Sequence, residues 1–343
     1  MRSVLIHEAG TVTVETVPDP SLGDARSAVI RVERSAICGS DLHFYDGDLP
    51  MYPVAAGHEA VGTVIEVGAE VRSVGVGDRV LVASVAGCGR CAGCGTGNPT
   101  ACVDGARVFG AGELGGAQSE YLAVPGADFN LLAIPEGIDD EAALLLTDNL
   151  STGWTAAKRA AFAPGADVLV LGLGAVGLCA VRSAYALGAA RVFAYDPVVG
   201  RRDRGQRFGA IPIDGALDVA AEARDLTDGL GAHAVIDAVA NDRSLDTAFA
   251  AVRDTGGISV VGVHNLEPYP APLLMGVFRS INLAMTTAVV HRNWAELVPL
   301  VRYGRLATSD IFTHTFDLED APAAYGAVAA RSEDVVKAQL IVS

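Results

Sequence analysis

Four of the six cysteines stand at Cys88, Cys91, Cys94 and Cys102, within 15 residues of one another. They lie on a stretch that also carries Gly87, Gly89, Gly93, Gly95 and Gly97. Four thiolates on a short, adaptable segment suit a tetrahedral Zn²⁺ with every coordination position filled, a structural rather than a catalytic site. Iron, alone or in an iron–sulfur cluster, is the rival, because four sulfurs do not by themselves select the metal. Cysteines flanked by glycine in a polar loop are poorly placed to pack as small hydrophobes, so ligation is the better reading.

A second set of ligand types is more dispersed. Cys38-Gly39-Ser40-Asp41-Leu42-His43 is followed 20 residues after its cysteine by His58, in Gly57-His58-Glu59-Ala60-Val61-Gly62, and Asp148 comes much later. A thiolate, an imidazole and a carboxylate together leave one position on zinc open, as catalytic zinc requires. Each residue also has an ordinary structural reading: Cys38 as a small core residue, His58 as a hydrogen-bonded core histidine, Asp148 as a helix N-cap.

Gly172-Leu173-Gly174-Ala175-Val176-Gly177 directly follows an apolar run and opens a helical pattern. The first glycine permits a tight turn, the second lets backbone approach a pyrophosphate, and the third allows close helix–strand packing. The helix N-terminus then faces the phosphates. Asp196, 19 residues beyond Gly177 at the end of the next expected strand, has a carboxylate suited to ribose hydroxyls. It would repel a 2′-phosphate, which favours NAD over NADP. Arg201 and Arg202 pull the other way, since arginines there accommodate that phosphate. A glycine-rich packing site without ligand is the alternative.

The elements that must position these residues fall into two styles. Up to about residue 145, short β-branched runs at 28–36, 60–67 and 79–83 are punctuated by Gly and Pro, as in a sandwich or partly open barrel. Helices are expected at 141–146 and 152–161. Strands at 168–171, 191–195, 234–238 and 258–263 then alternate with helices at 175–187 and 243–253, the pattern of a doubly wound α/β domain. Helices at 294–303 and 318–329 and a strand at 338–342 return to the first style and should pack back on the first domain. The expected division is 1–150 with 288–343, carrying a metal lobe at 86–104, and 151–287 as the cofactor domain.

The chain has 343 residues, 50% of them hydrophobic and 19% charged, enough for about two domains. A formal net charge of −16 argues against nucleic-acid or anionic-membrane binding, because the field repels phosphate. The apolar stretch 168–181 is too short to span a bilayer, and the N-terminus shows no apolar signal core. Cysteines clustered for a metal and no export signal point to a cytoplasmic protein.

Gly57-His58-Glu59-x2-Gly62-x5-Gly68-x2-Val71 resembles the signature of the zinc-dependent medium-chain alcohol dehydrogenases. The Cys-Gly-Ser-Asp run, the four-cysteine lobe, Asp148-x3-Thr152-Gly153, the dinucleotide loop and Lys337 are similar to that family in the same order, over essentially the whole chain. The resemblance implies a β-rich GroES-like catalytic domain beside a Rossmann domain. It also implies two zinc ions per subunit: a catalytic one on Cys38, His58 and Asp148, with Glu59 close behind, and a structural one on Cys88, Cys91, Cys94 and Cys102. Cofactor contacts would come from Thr152, Gly172, Gly174, Ala175, Val176, Gly177, Asp196, Arg201, Val263 and Lys337. Gly39 stands where the vertebrate liver branch has a phosphate-binding Arg, which leaves Lys337 and loop amides to hold the phosphates.

The implied reaction passes hydride between an alcohol (primary, secondary or polyol) and NAD, giving an aldehyde or ketone. The proton would leave through Ser40, the cofactor ribose and His43. The 115–121 stretch and the 145–148 run also look like the formaldehyde dehydrogenase or dismutase branch, without the long insertions those enzymes often carry. A non-catalytic binding protein on the same fold is the remaining alternative. Small residues at Ser84-Val85-Ala86 suggest a substrate larger than ethanol, and Phe44, Tyr45, Trp154 and Met285 are candidates for either the cleft or the core. By resemblance the assembly is a homodimer or homotetramer.

Overall fold

The computed structural model describes residues 1–215, 218–263, 267–332 and 334–342. They form two compact units, Met1–Ser151 with Val289–Gly304 and Thr308–Ser343, and Thr152–Ala288 with Arg305–Ala307. The returning C-terminal segment is therefore interrupted at Arg305–Ala307, which clusters with the second unit.

The first unit is organised on one long strand, Ala28–Ile37, whose side chains are mostly buried. Strand Ala60–Val67 pairs with it antiparallel on one side, and the C-terminal strand Ala338–Ile341 pairs antiparallel on the other. Arg79–Val82 and Leu131–Ala133 extend the sheet beyond Ala60–Val67, and His314–Asp317 extends it beyond the C-terminal strand. The apolar faces of these strands enclose a core that includes Ile6, Ile30, Val64, Val80, Phe109 and Tyr325. Register decides what lies at the end of the sheet. Ser35 faces Ala60 and Ile37 faces Ala338, so Cys38, Glu59, His58 and Lys337 emerge together where the three strands end.

Helix Asp140–Thr147 lies beside that end. Asp139 caps it, its Oδ1 accepting from the Ala142 amide at 2.8 Å, and all residues from 142 to 147 are buried. Helix Asn149–Arg159 begins three residues earlier than the sequence pattern predicts, so Asp148 is the single residue between two helices. The short polar side chain there competes with the backbone for hydrogen bonds and favours a break over a continuous helix.

The second unit holds six parallel strands in the order Ile211–Pro212, Arg191–Tyr195, Asp167–Leu171, Ala232–Asp237, Val252–Val260, Asn282–Met285. The chain begins in the middle of this sheet and reverses direction between Asp167–Leu171 and Ala232–Asp237, where Gly172 leads into helix Ala175–Ala186. Gly177 is required by contact: a Cβ there would meet the Gly172 carbonyl oxygen at 1.8 Å. The fifth strand runs earlier than the pattern 258–263 implies, and the preceding helix stops at Ala251. Val252 is β-branched and already extended, with ψ 142°. Val263 therefore lies beyond the strand end. Among the described residues no helix is long and apolar enough to cross a membrane.

Asp140 ties the helix to the sheet, with Arg34 Nε at 3.0 Å and Arg79 Nη2 at 2.5 Å from its oxygens. Burial opposes its ionisation, but Arg79 and then Arg34 outweigh that and lower its pKa below the usual carboxylate value. A depressed folded pKa stabilises above the unfolded value near 4, and the gain is lost as pH falls through the folded one. Asp140→Asn should therefore cost about 1 kcal/mol at pH 7 in urea melts. The difference from wild type should close on acidification, and a pH-independent difference would show that packing, not charge, is at work.

Candidate functional site

The sheet end brings Cys38, His58, Glu59 and Asp148 together, with one ligand atom of each within 4.8 Å of the others. Cys38 Sγ is 3.5 Å from Asp148 Oδ2, and His58 Nε2 is 3.3 Å from the same oxygen. Sulfur, nitrogen and oxygen donors around a tetrahedral zinc stand about 3.3–3.6 Å apart, given ion–donor distances of about 2.0–2.3 Å. The donor set thus fits zinc in both chemistry and spacing.

Asp41, three residues after Cys38 and not predicted to take part, completes the arrangement. Its Oδ1 is 3.2 Å from His58 Nδ1 and its Oδ2 accepts from the Cys38 amide at 2.9 Å. A carboxylate on Nδ1 fixes the tautomer and aims the Nε2 lone pair at the metal position. Burial works against charge on His58, but Asp41 and Asp148 outweigh it and raise its pKa well above the ordinary value. The signal available in sequence was Asp41's place three residues after Cys38.

Glu59 is fully buried, its Oε1 accepting from Lys337 Nζ at 2.5 Å and Asn149 Nδ2 at 3.3 Å. Its Oε2 is buried with no hydrogen-bond partner among the described residues, an orphaned acceptor facing a cluster of metal-ligand types. Burial raises the Glu59 pKa, the Lys337 charge lowers it, and Asp148 raises it again, with a net upward shift.

Lys337, which the resemblance places on cofactor phosphates, is 2% exposed and its Nζ pairs with Glu59 Oε1, because the register beside Ile37 places it against the carboxylate. Asn149 was missed altogether; its Nδ2 also lies 3.2 Å from Asp148 Oδ2, and only its adjacency to Asp148 hinted at it.

Ser40 precedes the short helix Asp41–Tyr45, and its side chain makes no capping bond there. His43 is on that helix, partly exposed, with Nδ1 3.0 Å from Asp48 Oδ2. Phe44 belongs to the core and Tyr45 packs against it, whereas Met285 is largely exposed on the edge strand.

The cysteine lobe is closed. Cys88 Sγ and Cys94 Sγ are 3.9 Å apart, close to the roughly 3.8 Å between sulfurs around a tetrahedral zinc. The amides of Cys94 and Cys88 each donate to a neighbouring sulfur at 3.4 Å, on Cys91 and Cys102 respectively. The Cys94 amide is the main cause that lowers the Cys91 pKa to about 6, while burial pushes Cys94 up to about 12. All six cysteines are free of disulfides. Asn130 pins the lobe to the sheet, accepting from the Gly87 amide and donating to the Gly87 carbonyl.

In the second unit the Gly172–Gly177 turn, residues 172–177, opens the helix containing Ala175 and Val176. The nearly buried Asp196 accepts from the Leu173 amide and the Val198 amide, both at 2.9 Å, and Arg201 Nη1 lies 3.9 Å from its carboxylate. Thr152 is buried and Val263 is exposed.

Known proteins match this arrangement. Residues 24–136 match the model of the alcohol dehydrogenase GroES-like domain, and residues 175–302 that of the zinc-binding dehydrogenases. A "Probable zinc-binding alcohol dehydrogenase" of Mycobacterium tuberculosis is 54% identical over 338 residues, 98% of this chain and 88% of that protein. The chain belongs to the zinc-dependent medium-chain alcohol dehydrogenase family. Among solved structures, alcohol dehydrogenase TADH from Thermus sp. ATN1 is 34% identical with a TM-score of 0.94, covering 100% of both chains. An alcohol dehydrogenase from Escherichia coli CFT073, complexed with NADH, is 26% identical with a TM-score of 0.89 over 99% of each chain. The family's GroES-like and Rossmann-type folds are those expected from the sequence, and the chain is an oxidoreductase of the zinc-type alcohol dehydrogenase kind.

Within this family member the lobe and the Cys38 cluster should separate on mutation. Cys91→Ser should lose one equivalent of bound zinc and lower Tm, while metal on Cys38, His58 and Asp148 is retained. Unchanged metal content and Tm would remove the lobe's structural role.

Proposed function

We propose that this dehydrogenase interconverts an alcohol and its aldehyde or ketone using NAD, with one catalytic and one structural zinc per chain. The observation that carries the reading is the trio of unlike donors, Cys38, His58 and Asp148, at the mutual spacing of zinc ligands. Zinc there supplies Lewis-acid activation of the alcohol oxygen, and NAD supplies the hydride acceptor. Cys38, His58 and Asp148 hold the ion, Asp41 orients His58, and Glu59 stands behind as a buried carboxylate with one uncommitted oxygen.

Ser40, not spent on capping, accepts the alcohol proton as it gives up its own hydroxyl proton, and His43 is the group that hands a proton to solvent. In the cofactor domain, loop amides and the helix N-terminus at Ala175 bind the pyrophosphate. Asp196 favours the unphosphorylated ribose of NAD, and Arg201 beside it neutralises part of its charge. Small residues at Ser84, Val85 and Ala86 support a substrate larger than ethanol.

The test is a panel of primary, secondary, cyclic and polyhydroxy alcohols, each assayed with NAD and with NADP. Turnover with NAD is expected to exceed that with NADP, and Ser40→Ala should lower kcat by about 10²-fold with zinc content intact. No turnover in either direction with any member would overturn the activity; wild-type kcat in Ser40→Ala would overturn the relay.

The same reading includes self-association. Edge strand Asn282–Met285 and helix Leu273–Phe278 leave Leu273, Leu274, Val277, Phe278 and Met285 exposed on the second unit. An exposed edge strand beside exposed apolar side chains of this kind favours a second copy of the chain. Sedimentation should give a homodimer or homotetramer, with Met285→Asp shifting it toward monomer. A wild type that sediments as a monomer at micromolar concentration would overturn the assignment.

A further inference from the structure

A chain of buried side chains leads away from His58 on the side opposite the other ligands. Tyr325, on helix Ala321–Ala329, is fully buried and its hydroxyl donates to Gln118 Oε1 at 3.0 Å. Gln118, also fully buried, donates through Nε2 to the Ala36 carbonyl at 3.1 Å and to Asp41 Oδ2 at 3.3 Å. Asp41 in turn faces His58 Nδ1. Gln118 also lies directly on the ligand-bearing turn. A Cβ on Gly57, the residue before His58, would fall 2.4 Å from Gln118 Cγ, and Gly57 has φ +88°.

The amide can face only one way. Both groups on its nitrogen side, a carbonyl and a carboxylate, are acceptors, so a flipped amide would set oxygen against oxygen twice. Its Oε1 must then accept from something on the other side, in a place that water does not reach, and the Tyr325 hydroxyl is the donor that meets it. We propose that Tyr325 and Gln118 are positioning residues for the metal ligand His58: the hydroxyl holds the amide, the amide holds Asp41, and Asp41 aims the imidazole. This rests on the reading that His58, Cys38 and Asp148 hold zinc. Both side chains are fully buried and neither belongs to the Cys38, His58, Glu59 and Asp148 cluster. Their effect is on the geometry and basicity of one ligand, as for outer-sphere partners in other metal sites.

The test loads the full chain with cobalt(II) in place of zinc and reads the ion at the Cys38, His58 and Asp148 site by chelator competition and by its visible d–d bands. Tyr325→Phe should weaken cobalt there about three- to tenfold and shift the bands, somewhat less than loss of a direct second partner. Metal on the four cysteines, in the same molecule, should be unchanged. Gln118→Glu keeps the acceptor for Tyr325 but turns a carboxylate oxygen onto Asp41, and should weaken cobalt further. If Tyr325→Phe does not fold, Gln118→Glu decides by the same readouts.

Unchanged cobalt affinity and bands would overturn the proposal. So would equal losses at both metal sites in step with Tm, which would mark a merely structural role. A wild type that binds no ion outside the four cysteines would overturn the metal reading and this proposal with it; a wild type that binds one and ignores both substitutions would overturn the proposal alone.

Discussion

The first unit is built around charges that have been taken out of water. Asp41, His58, Glu59 and Lys337 are all buried at the end of one sheet, with Asp148 little exposed beside them. Desolvating each ion costs several kcal/mol, and a buried charge is tolerated only when partners and hydrogen bonds compensate it. Lys337 on Glu59 and Asp41 on His58 are those compensations. The pairing explains why the last strand must return to the first unit: Ala338–Ile341 beside Ala28–Ile37 is what carries the ammonium to the carboxylate. Fold and site are therefore one construction, since a register slip of that strand would leave Glu59 unpaired as well as misplacing a strand.

The second unit solves a different problem, close approach of backbone to backbone. The turn at Gly172 and the missing Cβ at Gly177 bring a helix N-terminus against the end of a parallel strand. Asp196 joins that geometry from the neighbouring strand by accepting from the Leu173 amide. The carboxylate proposed to face a ribose is thus also a clamp on the glycine turn, in keeping with its burial.

The candidate metal-ligand sets were legible as sets because few side-chain types bind zinc and their local spacings are restrictive. Cys88, Cys91, Cys94 and Cys102 lie close in sequence, and Cys38 and His58 flank two strand patterns that the structure pairs antiparallel. Boundaries were less legible: the helix after Asp148 starts at Asn149 and the fifth parallel strand starts at Val252, both earlier than the apolar patterns suggested. The pairing of Lys337 with Glu59 was not legible, because a lone lysine near a C-terminus carries no record of which acid it will meet. Asp41, Asn149, Gln118 and Tyr325 are residue types found throughout ordinary surfaces and cores, so nothing in their identity marked them.

What the sequence determined by itself was chemistry and architecture: two sets of metal-ligand types, a dinucleotide turn with its acid, and a β-rich segment followed by alternating strands and helices. Those features are local, set by side-chain chemistry and by periodicities of a few residues. Tertiary structure alone decided the second layer. The contact from Tyr325 to Gln118 spans 207 residues and that from Lys337 to Glu59 spans 278. Such partners are chosen by strand register and by the demand that every buried polar group be satisfied, and neither condition exists until the chain has folded.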